Sequence, residues 1–177
     1  MNPLFWPQLR MPEILSNLPN IALLWNEIAA DLIRPEMKFF IFVAVLVVLI
    51  HGMLVLLIMT AFHQINKHNI NRYHKQVDVL VYFSVVLLIF VSHLLDIFIW
   101  TYAMVNLEVF PSALKTFYFA GEMYTNLDHN DPSFKLGPEW NMLPILLSFS
   151  GLFAVAISGS ALYTLLVSTF TKPTKDE

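Results

Sequence analysis

His93 and Asp96 stand three residues apart in an otherwise apolar stretch. That spacing puts both side chains on one face of a helix. Ionisable groups inside such a stretch are functional candidates by default. The pair could act on a neighbouring helix, or bond to each other and lock helix packing, which is the default reading. His51, beside Gly52, lies in a second apolar stretch. It could be a packed, hydrogen-bonded group, or reach Asp96 or His93 on another helix. It could also ligate a haem together with His93. A third polar group is the run Thr125-Asn126-Leu127-Asp128-His129-Asn130-Asp131, closed by Pro132. Carboxylates suit hard cations, and a histidine near its ordinary pKa gains charge in mild acid.

Other chemistry finds little support. His63, His68 and His74 share a segment with Lys67, Arg72 and Lys75, but their spacing matches no strong metal motif. A solvated loop that can touch anionic lipid headgroups is the default there. The chain has no Cys, which removes disulfides, thiolate metal sites and Cys nucleophiles. It shows no phosphate loop, HExxH run or recognisable Ser/His/Asp motif. No catalytic residue, metal ligand set or cofactor is therefore assigned, and the chain is read as a non-enzyme. Its net charge of -3 argues against a nucleic-acid partner, and no small-molecule substrate is expected.

The elements that carry these residues follow from the charge distribution. Hydrophobic residues make up 57% of the 177 residues and charged ones 13%. Soluble domains carry about 25% charge, so a soluble globular domain is excluded in favour of an integral membrane protein. Residues 39–62 hold no charge, residues 77–104 only Asp78 and Asp96, and residues 140–171 none. Each stretch is long enough to cross a bilayer as a helix. The N-terminus lacks a basic region followed closely by an apolar one, so a cleaved signal peptide is not expected. The loop 63–76 holds three bases and no acid, which places it in the cytoplasm. The N-terminus and residues 105–139 are then outside and the C-terminal tail inside. That outer segment carries Glu108, Glu122, Asp128, Asp131 and Glu139 against Lys115 and Lys135.

Two shorter segments remain. Pro3, Pro7, Pro12 and Pro19 interrupt any early helix. From Asn20, an N-cap, residues Ile21, Leu24, Trp25, Ile28 and Leu32 repeat at helical spacing. This amphipathic helix lies on the outer membrane surface or packs on another subunit. Pro35 marks the bend into the first span. Between spans two and three, Pro111 suits the first turn of a helix. Residues 113–124 are apolar and aromatic but too short to span. A short apolar helix entering a polar loop reads as a re-entrant segment, the alternative being a surface helix in an outer loop.

Span, short helix, polar loop and span, with the run KTFYFAGEMYTNLDHND at 115–131, resembles the pore module of two-transmembrane pore-loop potassium-channel-like proteins. The resemblance covers roughly residues 77–170 and is closest to a bacterial member with an extra leading helix. The family's filter reads approximately T-T-V/L-G-Y-G-D after an aromatic pore helix. Thr125 matches the first Thr, Leu127 the aliphatic residue and Asp131 the closing Asp. Glu122 falls near a pore-helix carboxyl that pairs with that Asp in some members, so Glu122 and Tyr118 are expected to support the filter. Gly151 lies nearest the family's gating hinge, and Gly159 nearer the cytoplasmic mouth. Plain helix packing is the alternative for both. His93 and Asp96 would then contact the pore helix or take part in gating.

At the filter the chain departs from the family. Asp128 and Asn130 replace the two glycines, His129 the Tyr and Asn126 the second Thr. Glycine lets the family's backbone turn a column of carbonyls to the ion. Asn and Asp tolerate left-handed backbone best among the other residues, and four copies of Asp128 around a fourfold axis would form a carboxylate ring. His129, once protonated, would add positive charge at the mouth.

The expected fold is thus all-α and integral to the membrane. It has three transmembrane helices, a re-entrant pore helix and loop, and a tetrameric assembly, because one module cannot enclose a pore. The divisions are an external segment 1–38, a first span 39–62, a cytoplasmic loop 63–76, a pore module 77–170 and a tail 171–177. Within the module lie an outer helix 77–104, a pore helix 111–124, a filter-like loop 125–131 and an inner helix 141–170. The resemblance implies a cation channel of a bacterial inner membrane, with lipid and its own copies as partners. The altered filter implies non-selective or Na⁺/Ca²⁺ permeation in place of K⁺ selection by carbonyls. A non-conducting structural or regulatory subunit that keeps the fold is the alternative. A haem or metal oxidoreductase using His51 and His93 is a third reading.

Overall fold

The computed structural model describes residues 20–68, 75–127 and 134–170. Every regular element among the described residues is helical. Helix α1 spans Ile21–Leu32, and the Asn20 side chain caps it by accepting from the Ala22 N–H at 2.9 Å. It buries no residue and exposes Ile21, Leu24 and Trp25. The chain breaks at Ile33 and Arg34, and α2 starts at Pro35, which needs no partner for a missing N–H in a first turn.

Helices α2 (Pro35–His68), α3 (Lys75–Asn106) and α5 (Leu143–Phe170) form a packed bundle. The stretches Pro35–Ile65, Val79–Asn106 and Pro138–Ser168 are long and apolar enough to cross a membrane. Such helices satisfy their own backbone groups, as a bilayer requires. Each buries one stripe. On α2 it runs through Met37, Phe40, Val47, His51, Val55 and Phe62. On α5 it runs through Leu143, Leu147, Ala154, Ser158 and Leu165. Outward faces stay apolar, with Phe42, Leu49, Phe98 and Phe153 exposed, as suits helices able to face lipid.

Helix α4 (Ala113–Tyr124) is one-sided and wedged against α3 and α5. It buries Thr116, Phe119, Ala120 and Tyr124, spaced three and four apart. Its N-cap is Ser112, whose hydroxyl accepts from the Lys115 N–H at 3.5 Å and whose carbonyl accepts from Thr116. Pro111 therefore sits outside the helix and not in its first turn. The capping hydroxyl decides the start, because it can serve an otherwise unpaired N–H and proline cannot. Lys115 in turn lies over the rings of Phe110 and Phe134, at 5.1 and 5.4 Å. The far end closes in a Schellman turn. Leu127 N–H bonds to the Glu122 carbonyl, Asn126 N–H to the Met123 carbonyl, and Asn126 takes the left-handed φ of 56°. A single-turn 3₁₀ helix, Pro138–Trp140, leads into α5.

The buried apolar residues divide into two clusters. One surrounds Phe40, Val47, Trp100, Tyr124 and Leu147, and the other Phe62, Val85, Ile89 and Leu165. Along α2, α3 and α5 alike, a polar residue separates the two: His51, Asp96 and Ser158. The three spans thus share one buried polar layer.

Candidate functional site

His51 is fully buried on α2 and uses both ring nitrogens. Its Nδ1 lies 2.6 Å from Asp96 Oδ2, and its Nε2 2.8 Å from the Ser158 hydroxyl. The Tyr124 hydroxyl, at the end of α4, donates to the same Asp96 Oδ2 at 2.6 Å. His93 Nδ1 lies 3.1 Å from that hydroxyl. A phenol has one proton. Because Tyr124 gives it to Asp96, His93 must be the donor in this bond, through Nδ1. Asp96 Oδ2 already accepts from Tyr124, and with the same oxygen accepting from His51 the imidazole donates from Nδ1. Four helices meet in one network.

A charge at this depth is costly unless it is partnered. Two short charge-assisted bonds on Asp96 Oδ2 supply partners. Asp96 Oδ1 has none among the described residues, although Asp96 is 0% exposed.

The structure bears on three expectations. His93 and Asp96 share a face of α3, as their spacing requires, but they are not bonded to each other. Asp96 bonds across to α2 and α4, and His93 bonds to Tyr124. Side chains on facing helices point at the carboxylate, whereas residues three apart on one helix stand side by side. His51 does reach Asp96. The rings of His51 and His93 touch, with centroids 4.6 Å apart, which leaves no room for a porphyrin plane between two axial ligands.

Asp96, His51 and Ser158 repeat the order of contacts in a hydrolase triad. Ser158 lies inside α5, however, where the neighbouring N–H groups bond to helix carbonyls. That leaves no oxyanion donors beside it. The arrangement is better described as a bonded knot.

Around the filter-like loop, the Thr125 hydroxyl donates to the Gly121 carbonyl at 2.7 Å. Thr125, Asn126 and Leu127 are exposed in the single chain, as is Tyr118, and Glu122 is partly buried. Asp128, His129, Asn130 and Asp131 lie outside the described residues. A cleft of about 300 Å³ opens beside Asn126 and is walled by Pro144, Ile145, Ser148, Phe149 and Leu152. Gly151 faces the Tyr124 backbone so closely that a Cβ would collide with its carbonyl, whereas a Cβ on Gly159 would meet nothing. The Ser148 hydroxyl bonds the Met123 carbonyl at 3.0 Å beside that crossing.

Tyr124 and Ser158 were not legible as members of the network. Periodicity could have flagged both. Tyr124 closes the 116–120–124 stripe, and Ser158 continues the 147–151–154–158 stripe, so each is a hydroxyl on a core-facing row. No protein-family model, no curated protein and no solved structure matches the chain.

Proposed function

We propose that this chain is one subunit of a pore-loop cation channel in a cell membrane, with α4 as its re-entrant pore helix. The observation that carries the reading is the depth of Tyr124. Its carbonyl lies against Gly151, eight residues into α5, or about 12 Å along it. Its hydroxyl reaches Asp96, ten residues back from the end of α3, or about 15 Å. A helix that starts near the ends of two spans and stops deep between them enters the membrane without crossing it.

Backbone that turns at membrane depth needs cover from protein or from water. Thr125, Asn126 and Leu127 are exposed in one chain, so copies of the chain or an aqueous path must cover them. Closed fourfold symmetry does both, and one module alone encloses nothing. Asp128, three residues past Thr125, then forms a carboxylate ring that selects cations by charge. The bases of residues 63–76 favour an outer N-terminus and a cytoplasmic tail.

Purified protein in liposomes tests this through flux of K⁺, Na⁺ and Ca²⁺. Cation flux that Asp128→Asn shifts away from divalent ions supports the reading. A tetramer that passes no cation replaces it with a non-conducting subunit of the same fold.

A further inference from the structure

We propose that His51, His93 and Asp96 form a site for one divalent transition-metal ion of the Zn²⁺ class, between α2 and α3 at the level of the polar layer. One ligand atom from each residue lies within 4.8 Å of the others. Two imidazoles and one carboxylate are a ligand set for Zn²⁺ and its neighbours, whereas Ca²⁺ and Mg²⁺ take oxygen. The proposal does not depend on the chain's being a channel.

Two atoms point to a missing cation. Asp96 Oδ1 is fully buried and has no hydrogen-bond partner among the described residues. Buried polar atoms without partners are uncommon, and a site for an ion is one of the causes. The second is His93 Nε2. With Nδ1 donating to Tyr124, the ring's lone pair lies on Nε2, which makes no hydrogen bond among the described residues. The same bond fixes the ring, as an outer partner does for a metal-bound histidine. His51 would bind through Nδ1, the nitrogen that faces the Asp96 carboxylate, with the ion taking the place of that hydrogen bond. Its proton would then sit on Nε2 and donate to the Ser158 hydroxyl, which fixes the ring.

The fit requires a small closure. A tetrahedral site with ligands at about 2.0–2.1 Å has edges of about 3.3 Å, so the side chains must draw together by about an ångström or more. Rotation about side-chain torsions supplies this without moving the helices. A water can fill the fourth position, as in zinc sites with three protein ligands. The bound ion would join the first span directly to the second.

Chelator-treated protein in detergent is titrated with Co²⁺ and the ligand-field spectrum is followed, with Zn²⁺ competition giving the stoichiometry. The expected result is one ion per chain with the intense absorption of tetrahedral Co²⁺. His93→Gln, which keeps a donor for Tyr124, and Asp96→Asn should each weaken binding at least about tenfold. A combined variant with Gln at positions 63, 68 and 74 should bind as the wild type does. Three results would overturn the site: no binding by the wild type, the weak spectrum of octahedral Co²⁺, or binding that survives both substitutions and disappears in the combined variant. The wild-type spectrum decides even where a substituted chain fails to fold.

Discussion

The Tyr124 hydroxyl donates to Asp96 at 2.6 Å, which ties the last residue of the short helix to the middle of the second span. Tyr124 is followed at once by Thr125, Asn126 and Leu127, so these three residues start from a fixed point. Tyr124→Phe removes the bond to Asp96 and the acceptor of His93 while keeping the ring. The expected loss is about 1–3 kcal/mol of stability, read from thermal or denaturant unfolding in detergent. Unchanged stability would show that the bond has no net value.

Two members of the polar layer should differ in cost. His51→Leu leaves Asp96 as a buried charge held by Tyr124 alone, and breaking such a pair costs about 3–5 kcal/mol. Ser158→Ala removes one neutral bond from His51 and should cost about 1 kcal/mol. The order of the two effects is the test, and a Ser158 variant that is the less stable of the pair would refute it.

Gly151 and Gly159 should respond oppositely to alanine. A Cβ on Gly151 collides with the Tyr124 carbonyl, which is backbone and cannot swing away. Overpacking of this kind costs about 1–3 kcal/mol. A Cβ on Gly159 meets nothing, and alanine in a helix is favoured over glycine by about 0.5–1 kcal/mol. Unfolding midpoints of the two variants should fall on opposite sides of the wild type. If Gly159→Ala instead breaks the oligomer, that face is a subunit contact.

Trp25 on α1 is 68% exposed and Trp100 on α3 is 0% exposed. In variants that keep only one of the four tryptophans, lipids brominated near the headgroup should quench Trp25 strongly, since an amphipathic helix lies at that level. Trp100, sealed beneath Phe40 and bonded to Ser150 at 3.0 Å, should be quenched little. An unquenched Trp25 would place α1 against a neighbouring subunit.

Much of the fold was legible. Gaps in the charge pattern marked three spans because lipid penalises charge wherever it occurs along the chain. Asn20 marked the start of α1 because its side chain can serve an N–H locally. Pro111 and Ser112 are adjacent and both carry start signals, and only the geometry shows which one caps. The functional layer was half visible. His51, His93 and Asp96 stood out as ionisable groups in apolar stretches, but Tyr124 and Ser158 did not, since a hydroxyl in a membrane helix is ordinary.

The sequence alone therefore determined which segments cross the membrane and which residues on each are polar, because hydropathy and helical period are properties of a single segment. Tertiary structure decided which polar residues meet. His51, Asp96, Tyr124 and Ser158 are separated by up to 107 positions along the chain and converge through the rotation and depth of four helices. Those two quantities are set by packing between helices, and no segment encodes them by itself.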